Sequence, residues 1–408
     1  MQSLQPLKSS TLVFLKMASD VGGKLAVLGV LALAARALTT EAFAYMALAS
    51  TLGWMLSVAT DFGLQLHLAR EVARAPDHAG RALWPLLRIR MRLLIVGVVI
   101  AVVASFVWLP AKSAAPFACV AVSYIINALV EFLNYAYRGL NRSDIESTLN
   151  FTQRLVTLAL AWVLLSLWPS FPAAAVAVTL PPLLASIVSL TLLRRMAPAE
   201  AVAAAPVSAR PLFRNVAPIG AGIVFSALYF RIDVFLLQHW SGPESVAHYS
   251  AVFRLIDALR LFPAAFLAVV MPVMFHGRNS AFLWKMSIGL TLFGVASSLA
   301  LYVAAPIVVP LAFGDSYAAA TPLFRILLAA FPLFALNYGL TTQLIGWDGQ
   351  RAFALISAGA LVSNVAMNLY LVPRLHATGS AWATVGTEAV LTLACVLALM
   401  RVPVRATR

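Results

Sequence analysis

The chain has 408 residues, of which 62% are hydrophobic and 11% charged, and its formal net charge is +14. That composition excludes an ordinary soluble globular protein. The positive excess does not point to nucleic acid, because no basic patch interleaved with stacking aromatics lies in a soluble stretch.

The apolar residues fall into runs of about 20, the length that carries a helix across roughly 30 Å of hydrocarbon. Twelve such runs are expected to span, near residues 11–35, 42–66, 89–109, 114–137, 149–168, 173–193, 215–239, 246–275, 283–305, 319–344, 352–372 and 379–400. The ten-residue alternation of a membrane β-barrel is absent. The first run follows a polar start, Met1 to Ser10, and lacks a small-residue cleavage site, so it reads as a retained helix rather than a signal peptide. Cys119 and Cys395 fall inside separate spans, as buried thiols rather than a disulfide or metal pair.

Lys and Arg retained in short loops mark the cytoplasmic side. With the N-terminus inside, the inside segments collect Lys8, Lys16, a run from Arg70 to Arg92, Arg138, Arg142, Arg154, Arg194, Arg195, Arg210, Arg214, Arg278, Lys285, Arg351 and the C-terminal arginines. The outside segments hold Arg36, Lys112 and Arg374. The fold expected is therefore an all-α polytopic membrane protein with twelve transmembrane helices and both termini cytoplasmic. The basic excess also attracts anionic membrane lipids.

A Pro/Ala-rich basic stretch, residues 194–212, divides the chain into a six-helix lobe at 1–193 and a second at 213–408. Six helices per lobe imply parallel repeats. Glu41-Ala42-Phe43-Ala44-Tyr45 after the first span matches Glu244-Ser245-Val246-Ala247-His248 after the seventh at two positions of five. The first span holds Gly22-Gly23 beside Asp20 and Lys24, and the seventh holds Pro218, Gly220 and Gly222. Pro263 and Pro272 interrupt the eighth. Interruptions at corresponding places favour a polar cavity over simple helix packing.

Residues 229–260 concentrate charge inside two apolar runs: Arg231, Asp233, Arg254, Asp257 and Arg260. Each charge at a membrane midplane costs roughly 2.5–3.5 kcal/mol, so the set must face itself, water or an ionic ligand. Arg254, Asp257 and Arg260 form one helical stripe in which Asp257 can bridge both arginines. Arg231 and Asp233 point to opposite sides, and Arg231 alternatively snorkels from the outer end of its helix. Asp20 and Lys24, four apart, can pair. Arg254, Arg260, Arg231 and Lys24 are the expected anion-binding groups, suited to phosphate oxygens. Asp257, Asp233 and Asp20 either position those arginines or couple Na+ or H+. No other cofactor, metal site or catalytic residue is expected. Arg325, Glu131 and Glu388 each stand alone on a span and read as structural, and His239 and His248 as solvated near an outer loop.

Four segments resemble a known family: DFGLQLHLAREVAR from Asp61, RIDVFLLQHWSGPESVAHYSAVFRL from Arg231, AFGDSYAAATPLFRILL from Ala312, and SNVAMNLYLVPRLHATGSAWATVGTE from Ser363, the last with Asn364, Asn368, Pro373, Gly379 and Ala381. The chain is similar to the polysaccharide transporter, or Wzx-like flippase, branch of the multidrug/oligosaccharidyl-lipid/polysaccharide flippase superfamily, over about residues 10–400. The resemblance implies two six-helix lobes in a V and alternating access in the cell inner membrane. It implies transport of an oligosaccharide on polyprenyl diphosphate, for O-antigen lipopolysaccharide, capsule or exopolysaccharide. A polysaccharide polymerase and export machinery are the implied partners. Lipid II flippases have fourteen helices, which makes a peptidoglycan precursor a weaker expectation. His376-Ala377-Thr378-Gly379 departs from the pattern, where many members have a second glycine.

A membrane glycan-modifying enzyme is disfavoured, because no phosphate-cradling glycine loop, HExxH or close acid pair lies in an aqueous segment. A multidrug/cation antiporter of the same superfamily would want an acidic cavity.

Overall fold

A computed structural model describes residues 9–198, 209–275 and 280–401, and every regular element among them is helical. The chain forms two compact units, residues 1–220 and 221–408. Nine described helices are long and apolar enough to cross a membrane. Their outer faces fit that medium: on one helix Leu292, Leu299, Val303, Ile307 and Leu311 are all more than 60% exposed, a row that water would not tolerate. This is a multi-pass membrane protein.

In the N-terminal unit the elements are α1 (Ser9–Ala37), α2 (Thr40–Asp61), α3 (Leu64–Arg74), α4 (Ala79–Trp108), α5 (Ala111–Gly139), α6 (Ser143–Leu167) and α7 (Phe171–Met196). Thr39 caps α2 by accepting the Ala42 N–H at 3.3 Å. The helix stops at Asp61, short of the expected residue 66. Phe62 and Gly63 turn left-handed, with φ of 45° and 85°, and Asp61 accepts the Gly63 N–H at 3.1 Å. The expected cytoplasmic loop after it is helical instead. On α3, Leu64, Leu68 and Val72 are buried at a four-residue spacing that makes one apolar face. That face packs on α4 and α5.

The central helix is α5, which packs against α2, α3, α4, α6 and α7. A Cβ at Gly53 of α2 would lie 2.3 Å from the Ala121 carbonyl oxygen, so only glycine permits that crossing. The glycine pair of α1 does not interrupt the helix: α1 runs unbroken through it. Gly22 faces Phe151 and Gly23 faces Arg154 on α6.

The C-terminal unit begins within α8 (Ala209–Arg231) and continues with α9 (Asp233–Leu259), α10 (Leu261–Phe275), α11 (Ser280–Phe313), α12 (Thr321–Gly346) and α13 (Gln350–Arg401). Here α12 is central, packing on α9, α10, α11 and α13. α8 also runs on through Pro218, Gly220 and Gly222.

Two membrane segments exceed one crossing: Ile219–Leu267 has 49 residues and Gln350–Arg401 has 52. At 1.5 Å per residue each would reach about 75 Å if straight. Neither is straight. Gly242 breaks α9 with φ 75°, ψ −178°, and the Tyr249 hydroxyl donates to Asp233, sixteen residues back along the chain. His376 breaks α13 with φ 52°, ψ −132°, and Asn364 donates to Thr387 at 3.2 Å, twenty-three residues away. Each segment is therefore a helical hairpin. At the second bend a Cβ on Gly379 would sit 2.5 Å from the Leu371 carbonyl oxygen, so the returning strand of chain requires glycine there.

Candidate functional site

Arg231, Arg254, Asp257 and Arg260 build one cluster because of the Gly242 reversal. Arg231 ends α8 and Asp233 begins α9. Two residues turn a helix by about 200°, so the side chains diverge. The fold-back of α9 then carries Asp257 to Arg231, and the two form a hydrogen-bonded ion pair. Asp257 also meets Arg254 at 3.4 Å and Arg260 at 3.7 Å. The stripe expected from sequence is present, and Asp257 bridges both of its arginines. Arg231 is 5% exposed. That corrects the snorkelling alternative: its charge is met inside the unit.

Aromatic rings complete the cluster. Arg231 Cζ lies 4.2 Å from the Phe253 ring centroid and 5.1 Å from that of Phe230. Arg260 Cζ lies 3.9 Å from Phe230, 4.9 Å from Phe334 and 5.1 Å from Tyr338. Ring faces hold guanidinium planes while leaving N–H edges available. Arg260 stands at the α9–α10 joint, and its Nε is buried without a hydrogen-bond partner. Within these four residues three guanidiniums face one carboxylate, leaving two positive charges in excess.

Asp233 belongs elsewhere. Its carboxylate accepts from Tyr249, from the Val234 N–H at 2.9 Å and from Ser380 at 3.3 Å, while Tyr249 also meets Thr384 at 3.0 Å. This network ties both halves of α9 to α13. Glu388 is not isolated either. It accepts from Asn337 Nδ2 at 2.8 Å, and Thr392 donates to Asn337 Oδ1 at 2.8 Å. Its charge acts on Arg260. Glu388 stands alone on its span in the sequence, because its partner lies 51 residues away on another helix.

In the N-terminal unit Lys24 is exposed on α1. The Asp20 backbone is helical, but its side chain lies outside the described residues, as does any Asp20–Lys24 pairing. Arg90, expected in a cytoplasmic segment, is 1% exposed within α4 and faces Asp61 at 3.8 Å. Arg90 Nε and Asp61 Oδ1 are buried without hydrogen bonds. Glu131 pairs with Arg154 at 3.9 Å, and Arg325 donates to the Tyr302 carbonyl at 3.2 Å. His239 is exposed beside Trp240, and His248 packs edge-on against Tyr317. Cys395 is buried, and Cys119 is exposed within the α5 span. In the connection after α5, Asp144 accepts from Arg142 at 2.8 Å and holds that guanidinium above its ordinary pKa. Among the described residues no group of three metal-ligating side chains converges.

The family model for "polysaccharide biosynthesis protein" matches residues 12–278, well over half of the chain. The chain belongs to the polysaccharide biosynthesis protein family. Among curated proteins none matches it. Solved structures share its fold throughout. A lipid II flippase MurJ in an inward closed conformation is 12% identical, with a TM-score of 0.75 over 97% of this chain and 89% of that one. An inward-facing multidrug resistance MATE family transporter of the MOP superfamily is 16% identical, with a TM-score of 0.60 over 95% and 94%. The MATE multidrug transporter DinF-BH is 12% identical, with a TM-score of 0.64 over 98% and 97%. This polysaccharide biosynthesis protein thus has the fold of membrane transporters and flippases, as its sequence resemblance implies.

Proposed function

We propose that this protein is a flippase, not an enzyme, that moves polyprenyl-diphosphate-linked oligosaccharide across the cell inner membrane by alternating access, for O-antigen, capsule or exopolysaccharide. The observation that carries the reading is the arginine cluster. Arg231, Arg254 and Arg260 share Asp257 as their ion-pair partner, and ring stacking fixes two of the guanidiniums. Three guanidiniums gathered around one carboxylate suit a diphosphate, whose oxygens accept several charge-assisted hydrogen bonds at once. Asp257 is the positioning carboxylate in this reading.

Twelve crossings with both termini inside accompany it. The nine candidate spans include two hairpins, which makes eleven crossings, and the 29-residue α1 supplies the twelfth. Polymerase and export proteins would receive the translocated glycan.

A second reading, a cation or drug antiporter, draws on Asp233 and Glu388, both at most 2% exposed. Buried carboxylates are what H+ or Na+ coupling uses. Purified protein in liposomes decides between them, with a fluorescent lipid-diphosphate-linked sugar and a cationic dye offered separately. Translocation of the lipid-linked sugar is expected, with at least a tenfold loss in Arg254→Ala and Arg260→Ala at equal reconstitution. Movement of the dye alone overturns the flippase reading, and undiminished transport in both variants overturns the role of the cluster.

A further inference from the structure

The N-terminal unit contains a cavity of about 140 Å³ bounded by α1, α2, α5, α6 and α7. That is roughly ten times the 10–15 Å³ that a single water needs by the same measure. Its lining is mixed. Val27, Val30 and Leu31 of α1, with Met46 of α2, give an apolar wall. Polar groups come from Ser123, Tyr124 and Asn127 of α5 and Gln153, Arg154 and Thr157 of α6, and Val178 and Pro182 of α7 complete the lining.

These polar groups are arranged rather than scattered. Gln153 donates its amide N–H to Asn127 Oδ1 at 3.0 Å. That bond uses one donor and one acceptor, so the pair still presents the Asn127 amino group and the Gln153 carbonyl oxygen as a matched donor and acceptor. Arg154 lies directly across Gly23, where a Cβ would come within 2.5 Å of its Cδ and Nη1. The absence of a side chain at Gly23 therefore leaves the room that Arg154 occupies along α1. Glu131 at 3.9 Å balances the Arg154 charge, so the cavity is polar without a net excess between them. Asn127 and Gln153 stand near the middle of their helices, at a depth where amides are expensive unless they serve a polar pathway.

A pyranose ring has matching chemistry: a rim of hydroxyls and two faces of C–H groups. We infer that this cavity binds one uncharged sugar ring of the glycan, with the Asn127–Gln153 pair, Thr157 and Arg154 on its hydroxyls and the α1–α2 wall on its C–H face. The inference rests on the glycan-transport reading for its physiological ligand, but the binding itself is measured without transport.

Full-length protein in nanodiscs is titrated by saturation-transfer NMR with methyl glucoside and methyl N-acetylglucosaminide, with methyl glucuronoside as the anionic control and octanol as the apolar one. Millimolar binding of at least one neutral glycoside is expected. Gln153→Leu weakens it about tenfold and the near-isosteric Thr157→Val two- to fivefold, in line with loss of one or two hydrogen bonds. Gel-filtration profiles matching the parent confirm that each variant is folded. No transfer to a neutral glycoside, equal transfer in the folded Gln153→Leu and Thr157→Val variants, or binding of octanol alone overturns the inference. Failed translocation of lipid-linked sugar alongside intact glycoside binding would count against the transport reading alone.

Discussion

Arg231 and Asp257 show how far single residues can be read from sequence. The three-residue spacing of Arg254, Asp257 and Arg260 makes their stripe visible in one dimension, because the helix supplies the geometry. The Arg231–Asp257 pair is not visible that way: the partners are 26 residues apart and meet only because Gly242 reverses the chain. The same limit hid Asp61 from Arg90. Counting arginines in polar stretches assigns Arg90 to a loop, and only the packing of α2, α4 and α5 shows it buried. The energetic consequence is testable at Asp257. Arg231 is buried but Asp257 is only half-buried, so removing the carboxylate leaves the Arg231 charge without its partner at a cost below the roughly 3–5 kcal/mol of a fully buried pair. Asp257→Asn is therefore expected to lower the thermal midpoint in detergent sharply, and Arg231→Met added to it to recover part of the loss. A double variant no more stable than Asp257→Asn alone would show that Arg231 has another compensating partner.

Among whole elements, the glycines and prolines were legible as special positions but not as to what they do. Gly22, Gly23 and Gly220 look like interruptions in the sequence, yet their helices run straight through. Their role is close packing, against Phe151, Arg154 and the Phe62 carbonyl. A glycine that permits a helix crossing and one that breaks a helix leave the same mark in a sequence. Gly242-Pro243 was readable as a reversal because that dipeptide suits a turn. The second reversal falls in the connection expected between residues 372 and 379, but that His376 takes the positive φ was not legible, since a nearby Gly379 is the residue that conformation favours. Holding a non-glycine residue in that region costs on the order of 1–3 kcal/mol. Ser241 Oγ, 3.0 Å from His376 Nδ1, offers an exposed hydrogen bond that recovers little of it. His376→Gly is expected to raise the thermal midpoint. Gly379→Ala and Gly53→Ala are expected to lower it, because each new Cβ meets a backbone carbonyl that cannot move aside. An unchanged midpoint in Gly379→Ala would contradict the close return of α13 upon itself.

For the molecule as a whole, hydropathy carried the helical fold and its membrane setting, because it is set by solvent and by chain length rather than by side-chain pairing. The way the chain threads the bilayer makes a sharper demand. If α9 and α13 are hairpins with their bends at one surface, Ser241 and His376 must lie at the same face of the membrane, and their hydrogen bond requires that independently. Asp348, in the connection between α12 and α13, is then one crossing away from His376 and belongs to the opposite face. With an inside N-terminus, Ser241 and His376 are outside and Asp348 inside. Single cysteines at these three positions, in a chain whose own Cys119 and Cys395 are replaced by alanine, convert this into a labelling pattern in intact cells. A membrane-impermeant maleimide is expected to reach positions 241 and 376 at once and position 348 only after permeabilisation. Labelling of 348 together with 241 would mean that α12 and the first half of α13 do not cross as separate spans, and the twelve-crossing arrangement would fall with it. The reverse pattern, with 348 labelled and both bends protected, would keep the number of crossings but invert the protein. The arginine cluster would then have to be approached from the other leaflet.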